Sequence, residues 1–105
     1  MTHLTTTGAS REPLESLAHE EYWRESFAHE PYVKAGQDYD YYATGFRTGW
    51  EGRARYSGQR FEDVEDELRE EYEARRTGAQ AGWDEGRAAA LAAWKRIDDI
   101  DVSSR

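Results

Sequence analysis

The chain has 105 residues, a net charge of −8 and no cysteine, which suits a single domain and excludes disulfides, thiolate nucleophiles and cysteine-held metals. Leu, Ile, Val and Phe number only 13, a proportion usual in disordered chains, yet 14 aromatic residues argue against disorder, since each buried ring removes roughly 150–250 Å² from water. The 22 acids are interspersed with 14 Lys and Arg, so the basic footprint of a phosphate-backbone binder is missing and nucleic acid is an unlikely main partner.

Residues 1–12 are polar and Thr-rich and read as a flexible N-terminal tail with no basic or apolar region of a signal peptide. No apolar stretch approaches the ~18 residues of a membrane span; the longest uncharged one is Ala88 to Trp94. A cytoplasmic protein without membrane contact is the expectation.

A first helix is predicted from Pro13, with Glu12 or Ser10 near its cap, to about His29, where Pro31 stops it. Leu14, Leu17, Ala18, Glu21 and Ala28 share one face, and His19, Trp23 and Phe27 lie on roughly the opposite one. A helix apolar on both sides sits between two neighbours or between its core and a partner, so Trp23 and Phe27 form one candidate interaction patch. Pro31 to Gln37 reads as a connector, with a turn at Gly36. A second helix is predicted from Asp38 to Tyr56, lined by Tyr39, Tyr42, Ala43, Phe46, Trp50 and Arg53, with Gly45, Gly49 and Gly52 on an adjacent strip. Phe61, Val64, Leu68 and Tyr72 mark a third helix over 61–76, its acids early and its arginines late, as the helix dipole favours. Thr77 and Gln80 have the form of a capping box and predict that the fourth helix opens there, carrying Trp83, Ala90, Trp94 and Ile97. Residues 98–105 read as a second flexible tail, leaving 13–97 as the single helical domain.

The strongest pattern occurs twice, 33 residues apart. Thr44-Gly45-Phe46-Arg47-Thr48-Gly49-Trp50-Glu51 returns as Thr77-Gly78-Ala79-Gln80-Ala81-Gly82-Trp83-Asp84, and Gly-Arg-Ala follows each copy at Gly52 and Gly86. Glycine inside a helix costs up to about 1 kcal/mol relative to alanine, so packing must support these helices. Small residues at every third or fourth position let two backbones approach closely. The second and fourth helices are therefore expected to cross at these ridges, with Trp50 and Trp83 closing over the contact. The competing reading makes the glycines helix ends.

Catalytic and metal chemistry find little support. Glu15 with His19 and Glu25 with His29 have helical ligand spacing, but the two histidines point to different faces, and i, i+4 pairing on a solvated face explains the same residues. The acids from Glu62 to Glu71 lack any sign of a desolvated pair, and no Ser-His-Asp frame, phosphate loop or dinucleotide fingerprint occurs. Neither metal nor cofactor is expected, and no enzyme. Tyr39, Tyr41, Tyr42, Phe46, Trp50 and Tyr56, interleaved with Arg47, Arg53, Arg55 and Arg60, form a nucleic-acid or ligand cue, although the core needs the same rings.

The segments Glu20 to Val33, Ala43 to Trp50, Phe61 to Leu68 and Ala89 to Trp94 together resemble a family of small acidic bacterial proteins without known activity. The shared order is Tyr-Trp-Arg, Pro-Tyr-Val, a Tyr-rich helix, an acidic Val-Glu-x-x-Leu and a tryptophan helix, over roughly residues 20–97. That resemblance implies no catalytic residue, cofactor or partner.

The expectation is an all-α domain, a small bundle of three to four short helices around an aromatic and Gly/Ala-lined core. Its expected role is a non-enzymatic protein–protein interaction or self-assembly module. The surface candidates are Gly45, Gly49, Trp50, Gly82, Trp83 and Gly86, with Trp23 and Phe27. The alternative is a ligand- or nucleic-acid-binding module built on the Tyr/Arg-rich second helix.

Overall fold

The computed structural model describes residues 16–103, with side chains through residue 100; the expected first tail and the Pro13 helix start lie outside the described residues. Helix α1 covers residues 16–26 and tightens into a 3-10 turn at Phe27–His29. Glu30 then adopts an extended conformation (φ −77°, ψ 139°), as the ring of the following Pro31 requires. Two tight turns follow, closed by Val33 N–H donating to Glu30 O and Gln37 N–H donating to Lys34 O. Gly36 supplies the positive φ of 90° that the second one needs.

Helix α2 (Tyr39–Arg55) starts at Asp38, whose carboxylate accepts from Tyr41 N–H at 3.2 Å and so satisfies one of the helix's free donors. Helix α3 (Phe61–Arg75) follows a short turn and places Phe61, Val64, Leu68 and Tyr72 inward, as their spacing predicts. Helix α4 runs Trp83–Ser103. The described elements are all helical, and the domain is a small all-α bundle.

Residue pairs fix the layering. Gly45 lies against Gly86, Gly49 against Ala90 and Arg53 against Asp98, so α2 and α4 run in the same direction with their backbones in contact. Ser16 and His19 meet Trp50, Trp23 meets Phe46 and Phe27 meets Tyr39, so α1 runs antiparallel to α2 on one side of the central pair. Helix α3 covers the other side, with Glu71 at Arg55, Leu68 at Gly52 and Phe61 at Trp94. The core is accordingly two clusters. Trp23, Tyr39, Tyr42, Phe46, Trp50, Ala81, Ala89 and Ala93 fill the α1 side, and Phe61, Val64, Leu68, Tyr72, Trp83, Ala90 and Trp94 fill the α3 side.

Three expectations need correction. The fourth helix opens at Trp83 rather than Thr77, because Gly82 O accepts from both Glu85 N–H and Gly86 N–H and residues 77–82 are held by other partners. Gln80 does accept from Thr77 N–H (3.1 Å), but its amide also donates to Asp40 O (2.8 Å). Ala81 N–H donates to Tyr41 O, and Ala81 O accepts from the Tyr72 hydroxyl. These bonds pin the segment as a non-helical turn against α2. Secondly, the expected loose tail from residue 98 is helical through Ser103. Thirdly, of the two placements expected for α1, the one between two neighbours does not occur within the chain, whose core takes the aromatic face: Trp23 is 3% exposed, whereas Leu17 is 50% exposed. The aromatic face offers far more area to bury than the leucine face.

Candidate interaction surface

The repeated glycine pattern builds the interior of the bundle and leaves little of itself at the surface. A Cβ on Gly45 would lie 2.8 Å from Gly86 O, and one on Gly49 would overlap the Ala90 carbonyl. Gly52 is closed by Leu68 and Gly86 by Tyr72, each with a side-chain carbon 2.5 Å from where a Cβ would stand. The second and fourth helices thus cross at small residues, but α4 contributes Gly86, Ala89 and Ala90, and Gly82 takes no part. Gly82 is exposed at the start of α4, with open space around it. The two copies of the pattern fall out of register: the first sits mid-helix, the second straddles a turn and a helix start.

The tryptophans of the two copies also part company. Trp50 faces α1, stacks on His19 (centroids 5.6 Å apart) and donates to Ser16 Oγ at 3.2 Å. Trp83 faces α3, tilts against Tyr72 and lies 3.3 Å from Glu65 Oε2 as a donor. Both are buried, as is Trp23, which stacks on Phe46 at 4.4 Å; Phe27 is half-buried against Tyr39. Of the candidate interaction residues Gly45, Gly49, Trp50, Gly82, Trp83, Gly86, Trp23 and Phe27, only Gly82 stands fully on the surface of this fold. The rest are occupied by packing within one chain.

The Tyr/Arg-rich second helix is similarly engaged. Tyr39, Tyr42, Phe46 and Trp50 are core residues. Burial pushes the Tyr39 phenol up to about 12, and the Tyr72 phenol likewise to about 12. The arginines are paired as well: Arg53 with Asp98 of α4 at 2.7 Å, Arg55 with Glu71 of α3 at 2.6 Å, and Arg47, within α2, shares Glu51 with Arg75 of α3, at 2.9 and 2.7 Å. Partial burial pushes the Glu51 carboxyl up, but Arg47 and Arg75 outweigh it and hold it below its ordinary value. Arg87 grips Glu65 with two bonds of 2.6 and 3.2 Å and likewise lowers its pKa. An open depression of ≈ 380 Å³ is therefore lined by engaged groups: Arg47 and Arg75 are bound to Glu51, and the Thr44 hydroxyl donates to Gln80 Oε1. His19, considered above as a metal ligand, has its Nδ1 3.2 Å from an Arg96 guanidinium nitrogen, and among the described residues no cluster of three metal-compatible side chains occurs.

What faces outward most coherently is α3. Glu62, Asp63, Asp66, Glu67, Glu70 and Glu73 are exposed, while Glu65 and Glu71 turn inward to Arg87 and Arg55. The spacing Glu62–Asp66–Glu70 is a like-charge i, i+4 series. The residues are visible in the sequence as a charge run; that Glu65 and Glu71 take arginines from other helices, while Asp63 and Glu73 pair with their near neighbours Arg60 and Arg76, is a tertiary fact. Comparison with protein-family models, with curated proteins and with solved structures returns no match. No helix among the described residues is long and apolar enough to cross a membrane.

Proposed function

We propose that the chain is a non-enzymatic protein-interaction and assembly module whose partner-facing surface is the outer side of α3. The observation that supports this most directly is the row of exposed acids at like-charge spacing, Glu62, Asp66 and Glu70, with Asp63 and Glu67 beside it. Like charges at i, i+4 destabilise a helix by about 0.2–0.5 kcal/mol per pair. The arginines that bridge helices at α3 are directed to Glu51, Glu65 and Glu71, and of the outer acids Asp63 pairs with Arg60 and Glu73 with Arg76. A surface rich in Arg and Lys on a partner would offset that repulsion and be steered to it by charge. Against the alternative of base stacking stands the engagement of α2: Tyr39, Tyr42, Phe46 and Trp50 are buried, Tyr41 and Tyr56 are half-buried with their hydroxyls bonded to Glu85 and Glu71, and Arg47, Arg53 and Arg55 are paired.

The test is titration of the isotope-labelled protein with a defined Arg/Lys-rich peptide, followed by amide shifts at two salt concentrations. The shifts are expected to map to α3, to weaken at least tenfold in the triple variant Glu62→Gln, Asp66→Asn, Glu70→Gln, and to fade with salt. Shifts scattered over every acidic residue, or no binding at low salt, would remove α3 as the partner-facing surface.

A further inference from the structure

Helices α2 and α3 run antiparallel and are joined along one edge by a ladder of charges. Arg55 of α2 meets Glu71 of α3 at 2.6 Å. One turn back along α2 and one turn on along α3, Glu51 meets Arg75 at 2.7 Å. The next step of the same ladder would set Arg47 opposite residue 79. Helix α3 has ended by then, and Ala79 is exposed in the turn that follows. Arg47 bonds instead to Glu51 of its own helix, at 2.9 Å, so two guanidiniums share one carboxylate.

The ≈ 380 Å³ depression lined by Thr44, Arg47, Glu51 and Arg75 lies at that end of the ladder. Its charge is unbalanced, two arginines to one acid, although the chain as a whole carries −8. A guanidinium has five N–H donors in a planar fork. Among the described residues Arg47 gives only its Nε–H to Glu51, and Arg75 only Nη1. Arg47 thus keeps the edge formed by its two terminal nitrogens, and Arg75 the edge formed by Nε and Nη2. The two side chains are 54% and 39% exposed. Of the nearby acids, Glu51 receives one donor on each oxygen. Glu20, which lines a smaller depression adjoining this one at Thr44 and Arg47, is bound to Arg24 at 2.7 Å.

We propose that this depression binds a phosphate dianion between Arg47 and Arg75, where the ladder has no acid of its own. Each free guanidinium edge can give two parallel bonds to phosphate oxygens. A phosphate monoester carries roughly −1.5 to −2 charges at neutral pH and three strong acceptor oxygens, enough to engage both edges while Glu51 keeps its own bonds. The smaller depression, with Tyr39, Ala43 and Trp50 in its lining, offers an apolar surface to an esterified group. This site goes beyond the assembly reading and does not use the exposed acids of α3, so either can fail without the other.

The test is titration of the isotope-labelled chain with inorganic phosphate at neutral pH and constant ionic strength, read at the arginine Nε–H signals. Those of Arg47 and Arg75 are expected to shift together and to saturate, while that of Arg55 stays in place. Arg47→Gln is expected to weaken binding about tenfold, as for the loss of a charge-assisted bond. Ala79→Glu supplies the acid the ladder lacks and is expected to abolish the shifts. Gln59→Glu adds the same charge in the exposed turn at the other end of α3 and is expected to change binding by less than about twofold, since distant surface charges are screened. Both glutamates enter exposed turns, and circular dichroism checks that helicity is kept. Phenyl phosphate distinguishes the sources of the group. Tighter binding with shifts at Tyr39 and Ala43 supports a monoester, and binding equal to that of phosphate supports the free ion. Four results would overturn the site: no shift at Arg47 and Arg75, all arginines moving alike, the same shifts with chloride, or equal losses in Ala79→Glu and Gln59→Glu.

Discussion

At Gly49 the α2 and α4 backbones meet, and a single methyl group would overlap the Ala90 carbonyl. Gly49→Ala is expected to destabilise the fold by about 3 kcal/mol, the upper range for an overpacked site with rigid neighbours. Gly82 has nothing near its missing side chain, and Gly82→Ala is expected to cost less than about 1 kcal/mol, as for a lost helix cap. Thermal unfolding of the two variants side by side checks the contrast; equal losses would mean that the second copy of the pattern packs like the first. Thr48 offers the opposite sign. It is 1% exposed and its hydroxyl has no partner, so Thr48→Val is expected to stabilise by about 1 kcal/mol, because the lost group satisfies nothing and its desolvation is costly. A lower urea midpoint in Thr48→Val would show that the hydroxyl makes a bond after all.

At the scale of elements, α3 is held to the central pair by charged clamps as well as by its apolar stripe. Glu51 joins Arg47 of its own helix to Arg75 of α3, and Glu65 of α3 joins Arg87 of α4. Both carboxyls lie below their ordinary values in the fold, whereas in the unfolded chain they titrate near about 4.3. Their contribution is therefore fully present above that pH and is lost as pH falls through the lower folded values. Urea midpoints between pH 6 and pH 3 are expected to fall, with a shallower slope in Glu51→Gln and in Glu65→Gln. An unchanged slope in both would assign the acid sensitivity to other carboxylates. The start of α4 belongs to this scale too. Thr77 and Gln80 form one of the two capping-box bonds, yet Asp40 O and Tyr41 O capture the segment, and the helix waits six residues. Local capping chemistry was readable from the residues; the competing acceptors, some 40 positions earlier in the chain, were not.

Over the whole molecule, the layering of α1, the α2/α4 pair and α3 converts nearly all of the aromatic surface into two internal clusters. That accounts for how a chain with so few aliphatic residues folds: rings pack onto glycine and alanine, where backbones can approach. It also removes Trp23, Trp50 and Trp83 from the closed surface and leaves the acids of α3 as its most coherent face. The peptide titration operates at this scale and reads the outer face. Of the interaction candidates named from the residues, the structure unites Gly45, Gly49 and Gly86 in one helix crossing and separates Trp50 from Trp83 by that same crossing. Residue type and spacing pointed to the close packing but left open whether it joins helices of one chain or of two, since a helix face bears the same pattern whether its neighbour belongs to the same chain or another.

The sequence alone determined the all-helical class, the span of α2 between Asp38 and Tyr56, the inward stripe of α3 and the break at Pro31, because periodicity, caps and proline geometry act within a few residues. Tertiary structure alone decided which face of α1 turns inward, where α4 begins, that α4 continues past residue 98, and which acids keep an arginine. Each of these turns on competition between partners distant in the chain, and such a competition is resolved only when the helices are in contact.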